Sequence, residues 1–148
     1  MTRLLQIWVI DDHPADLFLT QQVFATLSDQ VTVTPYQSAQ AALDDLRRPN
    51  ATYPDVLLLD INMPQLNGFD VLRAMKADDR LTLIPVVMLT TSEAVEDIQQ
   101  AYALFASAYL VKSVDFSSFI QQVESLVTFW AHSRLLNWSS PNSAGPQR

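Results

Sequence analysis

The chain has 148 residues, no cysteine and a formal net charge of −7 at pH 7. Because cysteine is missing, a disulfide scaffold, a thiol enzyme and a cysteine-type zinc site are excluded. The acidic balance argues against a protein that follows nucleic-acid phosphates, since such a protein needs a basic face.

Five short apolar runs alternate with five helical patterns along the chain. The predicted strands are 4–10, 31–36, 56–59, 85–89 and 108–111, and the predicted helices are 14–27, 38–48, 67–78, 93–105 and 115–133. All strands but the second are continuously apolar, which is typical of strands covered on both faces. Asp12 before Pro14, and Ser92 before Glu93, resemble helix starts. This alternation predicts an α/β fold, a parallel sheet with helices on both faces.

One domain is expected over residues 1–133. Residues 134–148 form an extension, and its last ten residues are small, polar and predicted to be disordered. This leaves no room for an output domain. The first twelve residues lack a signal peptide's cleavage site, and no run approaches the roughly 20 apolar residues of a membrane span. We therefore expect a cytoplasmic protein without membrane or nucleic-acid partners.

Charged or hydroxyl side chains follow four of the five predicted strands: Asp11, Asp12, Asp60, Thr90 and Lys112. The carboxyl ends of parallel strands meet at one edge of the sheet, where ligands bind in such folds. We therefore expect these five side chains to form one site. Three clustered carboxylates repel by roughly 3–4 kcal/mol per pair at an effective dielectric near 20. Either a cation lies among them or one of them stays protonated.

An all-oxygen site of this kind suits Mg²⁺, with Mn²⁺ as an alternative ion. A lysine adds a compact positive charge for a phosphate oxygen, and a threonine hydroxyl can donate to a second oxygen. The set therefore indicates phosphoryl transfer to one of the carboxylates.

Together these motifs strongly resemble the receiver domain of two-component response regulators. The resemblance covers about residues 4–130 and rests on the Asp11-Asp12 pair, the D-x-N-M-P-x-x-x-G segment of residues 60–68, Thr90 and Lys112. It implies a doubly wound, flavodoxin-like (βα)5 sheet, for which the strand order 2-1-3-4-5 is the known one. It also implies a phosphoacceptor that assists its own phosphorylation and dephosphorylation, rather than an enzyme.

The resemblance assigns the phosphoryl chemistry to particular residues. Asp60 would accept the phosphoryl group from a histidine kinase, and Lys112 would pair with that group. Asp12, Asp60 and the backbone carbonyl of Asn62 would bind Mg²⁺, with Asp11 acting mainly through water.

The same resemblance implies a signalling role for residues around this centre. Thr90 would move towards the phosphoryl group on activation, and Tyr109 would follow as an aromatic switch. Asn62 and Ser92 occupy the two positions that tune how fast the phosphate is lost.

Three short segments are similar to the small receivers that partner cyanobacterial phytochromes. They are LTTS at 89–92, KS at 112–113 and FW at 129–130. The implied kinase partner is a light-sensing phytochrome histidine kinase.

Two other functions are compatible with parts of the pattern. A phosphatase resembling the haloacid dehalogenase group would also use an aspartate nucleophile, but it would need an acid two residues later, where this chain has Asn62. A receiver with a decayed site would act as an interaction module, yet all five site residues are present. The phosphoacceptor is the preferred interpretation.

Two positions depart from the usual receiver pattern. Ser113 stands where most receivers have proline after the lysine, so we predict a trans peptide bond between Lys112 and Ser113, because a non-proline cis bond costs about 3–4 kcal/mol. Phe105 stands where a glycine is usual, and a bulky residue is unfavourable at positive φ. The turn before the fifth strand is therefore predicted to be built differently.

Two residues near the aspartates have open roles. His13 could be a metal ligand or a base, but we expect a loop residue at the rim of the site. Gly68 is expected to supply a turn conformation that a side chain would forbid.

The last predicted helix and the residues after it contain more apolar side chains than one helix face can pack against the sheet. One stripe is expected to pack on the sheet: Phe116, Phe119, Ile120, Val123, Val127 and Trp130. Five residues are left outside or beyond it: Leu126, Phe129, Leu135, Leu136 and Trp138. These could add packing to the domain itself, but apolar clusters left exposed usually mark interfaces. We favour a homodimer through this helix.

Overall fold

The computed structural model describes residues 3–133 as a five-stranded parallel sheet flanked by five helices. The strands are β1 (Leu5–Ile10), β2 (Val31–Tyr36), β3 (Val56–Leu59), β4 (Val86–Thr90) and β5 (Ala108–Val111). The helices are α1 (Pro14–Ala25), α2 (Ala39–Leu46), α3 (Gly68–Lys76), α4 (Val95–Ala103) and α5 (Phe116–Ala131). The order β2-β1-β3-β4-β5 confirms the expected doubly wound sheet. The predicted extension, with Leu135, Leu136 and Trp138, lies outside the described residues.

Two apolar cores enclose the sheet, one on each face. Alternate residues of β3 point into different cores: Leu57 and Leu59 join the α2–α3 side, while Val56 and Leu58 join the α1–α5 side. This explains why the strand is continuously apolar, since neither of its faces meets water. Both layers hold the strand rigidly, and so they fix the residue that follows it. No helix within residues 3–133 combines the length and apolar character of a membrane span.

Two helix starts differ from the prediction. The residue before α1 is His13 rather than Asp12, and α4 begins at Val95 after Ala94 rather than near Ser92. The Ser92 hydroxyl oxygen accepts from the Ala94 amide and the hydroxyl donates to Asp97 over 2.6 Å. Ser92 is therefore used within the loop, and the helix begins two residues later.

The end of α4 corrects the expectation for Phe105, which does adopt a positive φ, of 68°. The Phe105 amide donates to the Tyr102 carbonyl and the Ala106 amide donates to the Ala101 carbonyl. This pair of bonds is a Schellman cap, which requires the left-handed conformation at position 105 whatever the side chain. The cap's hydrogen bonds outweigh the steric cost, and the phenyl ring stays 75% exposed.

Replacing Phe105 by glycine is expected to stabilise the protein by about 1 kcal/mol, because glycine adopts the left-handed region without steric cost. Little burial is lost, since the ring is mostly exposed. Urea unfolding of the F105G variant measures the gain. Phe105→Ala is the control, because it removes the same ring but keeps the Cβ. Equal stability of the two variants would contradict the explanation.

Helix α5 buries a face slightly different from the predicted stripe. Leu126 is only 7% exposed and belongs to the domain's own core, whereas Phe116 is 51% exposed. Leu126 lies seven residues after Phe119 and three after Val123, so the helical period puts all three on one face. Leu126 was therefore wrongly assigned to the leftover group. Phe129 remains outside, 63% exposed and edge-on to Trp130.

Candidate functional site

The ends of β1 and β3 bring three carboxylates together at the carboxyl edge of the sheet. Asp11 and Asp12 follow β1 and Asp60 follows β3, and the Asp60 amide donates to the Ile10 carbonyl over 3.0 Å. Each of these three carboxylates and the His13 ring offers one possible ligand atom, and these four atoms all lie within 4.8 Å of one another. The prediction that these strand ends converge is thereby matched by the geometry of the carboxylates.

Asp60 is buried, with 5% of its surface exposed. Burial raises the pKa of its carboxyl, and the charge of Asp11 adds to this. A hydrogen bond with Thr90, the charge of Lys112 and the Ile61 amide, which donates over 2.8 Å, act in the opposite direction. A buried carboxylate of this kind gains from any cation placed beside it.

Lys112 lies at the end of β5 and donates to Asp11 over 2.7 Å, with Asp16 at 3.7 Å. Its side chain is 11% exposed. The sequence pattern assigned it to a phosphoryl group, and in this structure the nearest partner of its ammonium is Asp11. A short buried ion pair keeps the ammonium at the edge of the pocket.

The segment after Lys112 is held by Gln122 of α5. The Gln122 carbonyl oxygen accepts from the Ser113 amide over 3.0 Å, and its amide nitrogen donates to the Val111 carbonyl over 2.7 Å. A proline at position 113 has no amide hydrogen and could not make the first bond. There is no cis peptide bond within residues 3–133, which confirms the predicted trans bond at Lys112–Ser113.

Thr90 and Tyr109 connect the pocket to the loop before α4. Thr90 is fully buried, and its side chain lies close enough to Asp60 to lower the pKa of that carboxyl. The Tyr109 hydroxyl donates to the Ser92 carbonyl over 2.9 Å. The Ser92 amide donates to the Thr90 hydroxyl oxygen over 3.4 Å, so both residues contact the loop before α4.

The donor set fits a divalent cation. Asp12 Oδ1 is buried and has no hydrogen-bond partner within the described residues. An unsatisfied buried oxygen is costly, and the carboxylates around it supply the hard oxygen ligands that Mg²⁺ and Mn²⁺ take. Together with the acidic cluster, this oxygen marks where an ion would bind.

His13 is only partly a rim residue, because its ring points inward. Its Nδ1 lies 3.1 Å from Asp11 Oδ1, 3.2 Å from Asp12 Oδ1 and 3.6 Å from Asp60 Oδ2. The hydrogen bond to Asp11 raises the pKa of the imidazole, and the charges of Asp12, Asp11 and Asp60 add to this, while desolvation lowers it. The only sequence signal was its position between the aspartate pair and Pro14.

Position 68 requires glycine for a different reason from the one predicted. A Cβ on this residue would lie 2.4 Å from the Asp60 carbonyl oxygen and 2.9 Å from the Ile61 Cα. Its φ is not in the left-handed region, so close approach of two backbones, rather than turn conformation, requires glycine here. The start of α3 is thus packed directly on the backbone of Asp60.

The model of the response regulator receiver domain family matches residues 7–124. The chain belongs to this family. Receivers are generally phosphoacceptors without an enzymatic role of their own, which agrees with the interpretation reached from the site.

Relatives in two groups of organisms are similar to this receiver over most of its length. The probable methanogenesis regulatory protein FilR2 of Methanothrix harundinacea is 32% identical over 95% of this chain and 88% of its own. Response regulator Rcp1 of Synechocystis is 32% identical over 84% of this chain and 87% of its own.

Solved structures agree with these matches. The phosphorylated cyanobacterial phytochrome response regulator RcpA superimposes with a TM-score of 0.84 at 33% identity, covering 91% of this receiver and all of RcpA. The Mn²⁺-bound form of Rcp1 superimposes with a TM-score of 0.79 at 30% identity, covering 88% of this receiver and 96% of the Rcp1 chain. Binding of Mg²⁺ or Mn²⁺ is thus supported by a relative as well as by the acidic cluster.

Proposed function

We propose that this receiver accepts a phosphoryl group on Asp60 from a sensor histidine kinase and signals through the resulting change of surface. The observation that carries the proposal is the burial of Asp60 among Asp11, Asp12 and Lys112 at the carboxyl edge of the sheet. We place the protein in the cytoplasm, without direct contacts to nucleic acid or membrane.

In the transfer step, a carboxylate oxygen of Asp60 attacks the phosphorus of a phosphohistidine. The new O–P bond forms as the N–P bond breaks, and the electron pair returns to the departing imidazole. Asp12, Asp60 and the Asn62 carbonyl would hold the ion, with Asp11 acting through water, and a bound ion would supply positive charge for the phosphoryl oxygens. Lys112 exchanges its Asp11 partner for a phosphoryl oxygen.

Signalling follows from the same contacts. The phosphoryl group adds about two negative charges and new acceptor oxygens, so the Thr90 hydroxyl gains a partner other than Asp60. Thr90 and Tyr109 then shift the loop that carries Ser92 and the start of α4. Asn62, two residues after Asp60, and Ser92, two residues after Thr90, would set how fast water removes the group.

The kinase is proposed to dock beside Lys112. A cleft of about 270 Å³ between α1 and the loop before α5 is lined by Lys112, Leu19 and Val114, among others. Phe18, Val114 and Phe116 are exposed in the segments on either side. Exposed apolar side chains of this kind favour partner binding, and here they lie in the segments around the cleft that Lys112 lines.

A phytochrome-type kinase is the proposed partner. RcpA, Rcp1 and a response regulator in red light signalling of R. palustris are each at least 30% identical to this receiver. The relative from a methanogen bears a different physiological name at similar identity. The structural neighbours therefore favour a light-sensing partner, and transfer from a purified phytochrome kinase tests it.

A homodimer through α5 is part of the proposal. An open, mostly apolar groove of about 700 Å³ runs between β5 and α5, lined by Ala108, Leu110, Phe129 and Trp130, among others. Its other lining residues include serines and glutamines but no charged side chain. An uncharged groove with aromatic walls is suited to a second copy of the chain, with Leu135, Leu136 and Trp138 following directly in sequence.

Replacing Phe129 by alanine is expected to weaken the dimer at least tenfold, because a buried aromatic anchor is commonly worth about 1.4 kcal/mol or more. Sedimentation velocity at tens of micromolar protein measures the change. Leu83→Ala is the control, since Leu83 is also an exposed apolar residue, 65% exposed, but precedes β4. A wild-type monomer whose sedimentation is unchanged by deleting residues 131–148 would contradict the dimer.

The test of the main function is chemical. Incubation with Mg²⁺ and a phosphorylated kinase or a small phosphodonor is expected to give an acid-stable, hydroxylamine-labile phosphoryl group, in a peptide containing Asp60 by mass spectrometry. Rapid turnover of a small phosphoester without stable labelling would instead favour a phosphatase. A complete lack of labelling with every donor would favour a decayed receiver.

A further inference from the structure

The imidazole of His13 occupies an unusual position for a side chain next to a metal site built from carboxylates. Its Nδ1 lies 3.1, 3.2 and 3.6 Å from oxygens of Asp11, Asp12 and Asp60. Ligands about 2.1 Å from an ion and separated by right or tetrahedral angles lie about 3.0–3.4 Å apart. The nitrogen is therefore spaced from the Asp11 and Asp12 oxygens as one ligand is spaced from its neighbours, and the Asp60 oxygen lies slightly farther away.

The backbone and the hydrogen bond between His13 Nδ1 and Asp11 Oδ1 place the ring here, whereas helix capping does not. The His13 amide donates to Asp11 Oδ1 over 3.0 Å, and Pro14 follows at the first position of α1. His13 precedes the helix, but its side chain makes no capping hydrogen bond. The ring is 54% exposed, so an arriving ion can reach it and the ring can turn to meet it.

The chemistry of the added nitrogen favours a particular class of ion. Carboxylate, carbonyl and water oxygens suit Mg²⁺ and Mn²⁺, whereas imidazole suits the later first-row ions, and the affinity of a mixed nitrogen and oxygen site rises from Mn²⁺ to Co²⁺. We propose that His13 supplies a nitrogen ligand to the ion held by Asp12 and Asp60 beside Asp11, so that the site prefers first-row transition ions over Mg²⁺, Co²⁺ more strongly than Mn²⁺. This rests on the metal site of the proposed function and adds to it a residue that selects the ion.

The ligand can be detected without measuring phosphorylation. Electron spin-echo modulation of Mn²⁺ bound to the full chain is expected to show coupling to an imidazole nitrogen, which should be absent in His13→Asn. The chain contains only one other histidine, His132, which is exposed just after α5 and lies 2.8 Å from the Thr128 carbonyl. His132→Asn is therefore the matched control and should keep the coupling.

Selectivity gives a second readout. Calorimetric titration is expected to show that His13→Asn weakens Mn²⁺ and Co²⁺ binding at least about tenfold. Mg²⁺ binding should stay within about twofold, because Asn retains an oxygen donor. Thermal melting without metal establishes that the variant is folded.

Three results would overturn this inference. They are a wild-type Mn²⁺ spectrum without nitrogen coupling, the same coupling in the His13→Asn variant, and an equal loss of Mg²⁺ and Mn²⁺ affinity. The first needs no variant, so it decides even if the substitution disturbs folding. If any of these results is found while Asp60 is still labelled normally, the nitrogen ligand is rejected and the proposed phosphoacceptor function is kept. Nitrogen coupling without labelling would contradict the proposed function while supporting the ligand.

Discussion

Asp60→Asn is expected to abolish Mg²⁺-dependent phosphorylation, because the amide cannot act as the attacking oxygen nucleophile. The two side chains have nearly the same shape, so the buried position after β3 should be kept. Labelling from a phosphorylated kinase or a small phosphodonor, quantified by intact mass, measures the loss. Asp79→Asn is the control, since it makes the same chemical change at an exposed loop residue after α3. Stable labelling of the Asp60 variant would contradict the assigned phosphoacceptor.

The same variant carries a stability signature in metal-free buffer. Burial raises the pKa of the Asp60 carboxyl above its ordinary value of 3.8, so ionising that carboxyl lowers the free energy of unfolding. The wild type therefore loses stability, relative to Asp60→Asn, as pH rises from below 3.8 through the raised pKa. Urea unfolding at pH values below and above this range should show that the free energy of unfolding of Asp60→Asn increases relative to that of the wild type. An unchanged difference would indicate that the carboxylate is not penalised by burial.

The sheet was predictable because each strand is a buried apolar run and each run ends in a polar group. Burial on both faces removes alternation from β3 and leaves Asp60 as the first polar residue, so the strand could be predicted from one segment. The site could be predicted only when Asp60 was taken together with the polar residues that follow the other strands. Lys112 was equally clear, because lysine is rare in this chain and follows an apolar run directly. These features depend on local sequence and on the geometry shared by all parallel sheets.

The errors arose where the deciding contact comes from elsewhere in the chain. The inward direction of His13 depends on carboxylates delivered by two strands, and the placement of Leu126 depends on which face of α5 meets the sheet. The bidentate pair between Arg3 and Asp55, at 2.9 and 2.7 Å, joins residues 52 positions apart and had no sequence signal. The expectation for Phe105 failed for another reason. It considered the steric preference of the side chain without the helix cap, which requires the left-handed conformation at this position.

Gly68 shows how such a contact ties stability to the site. The Gly68 amide donates to the Ile61 carbonyl over 2.9 Å, and α3 begins at this residue. The added Cβ of Gly68→Ala would meet the Asp60 carbonyl oxygen at 2.4 Å. Backbone atoms cannot relieve this clash by a rotamer change, as a flexible side chain could. Either α3 or the segment that carries Asp60 must therefore shift.

Gly68→Ala is therefore expected to lower the free energy of unfolding by about 3 kcal/mol, at the upper end of overpacking costs, and to slow phosphorylation of the folded fraction. Urea unfolding and labelling at low temperature separate the two effects. Ala39→Gly is the matched control, because Ala39 holds the corresponding first position of α2. Removing its Cβ should cost about 1 kcal/mol and leave labelling unchanged. Wild-type stability and labelling in Gly68→Ala would contradict the contact, whereas a stability loss with normal labelling would show that α3 moves and Asp60 stays in place.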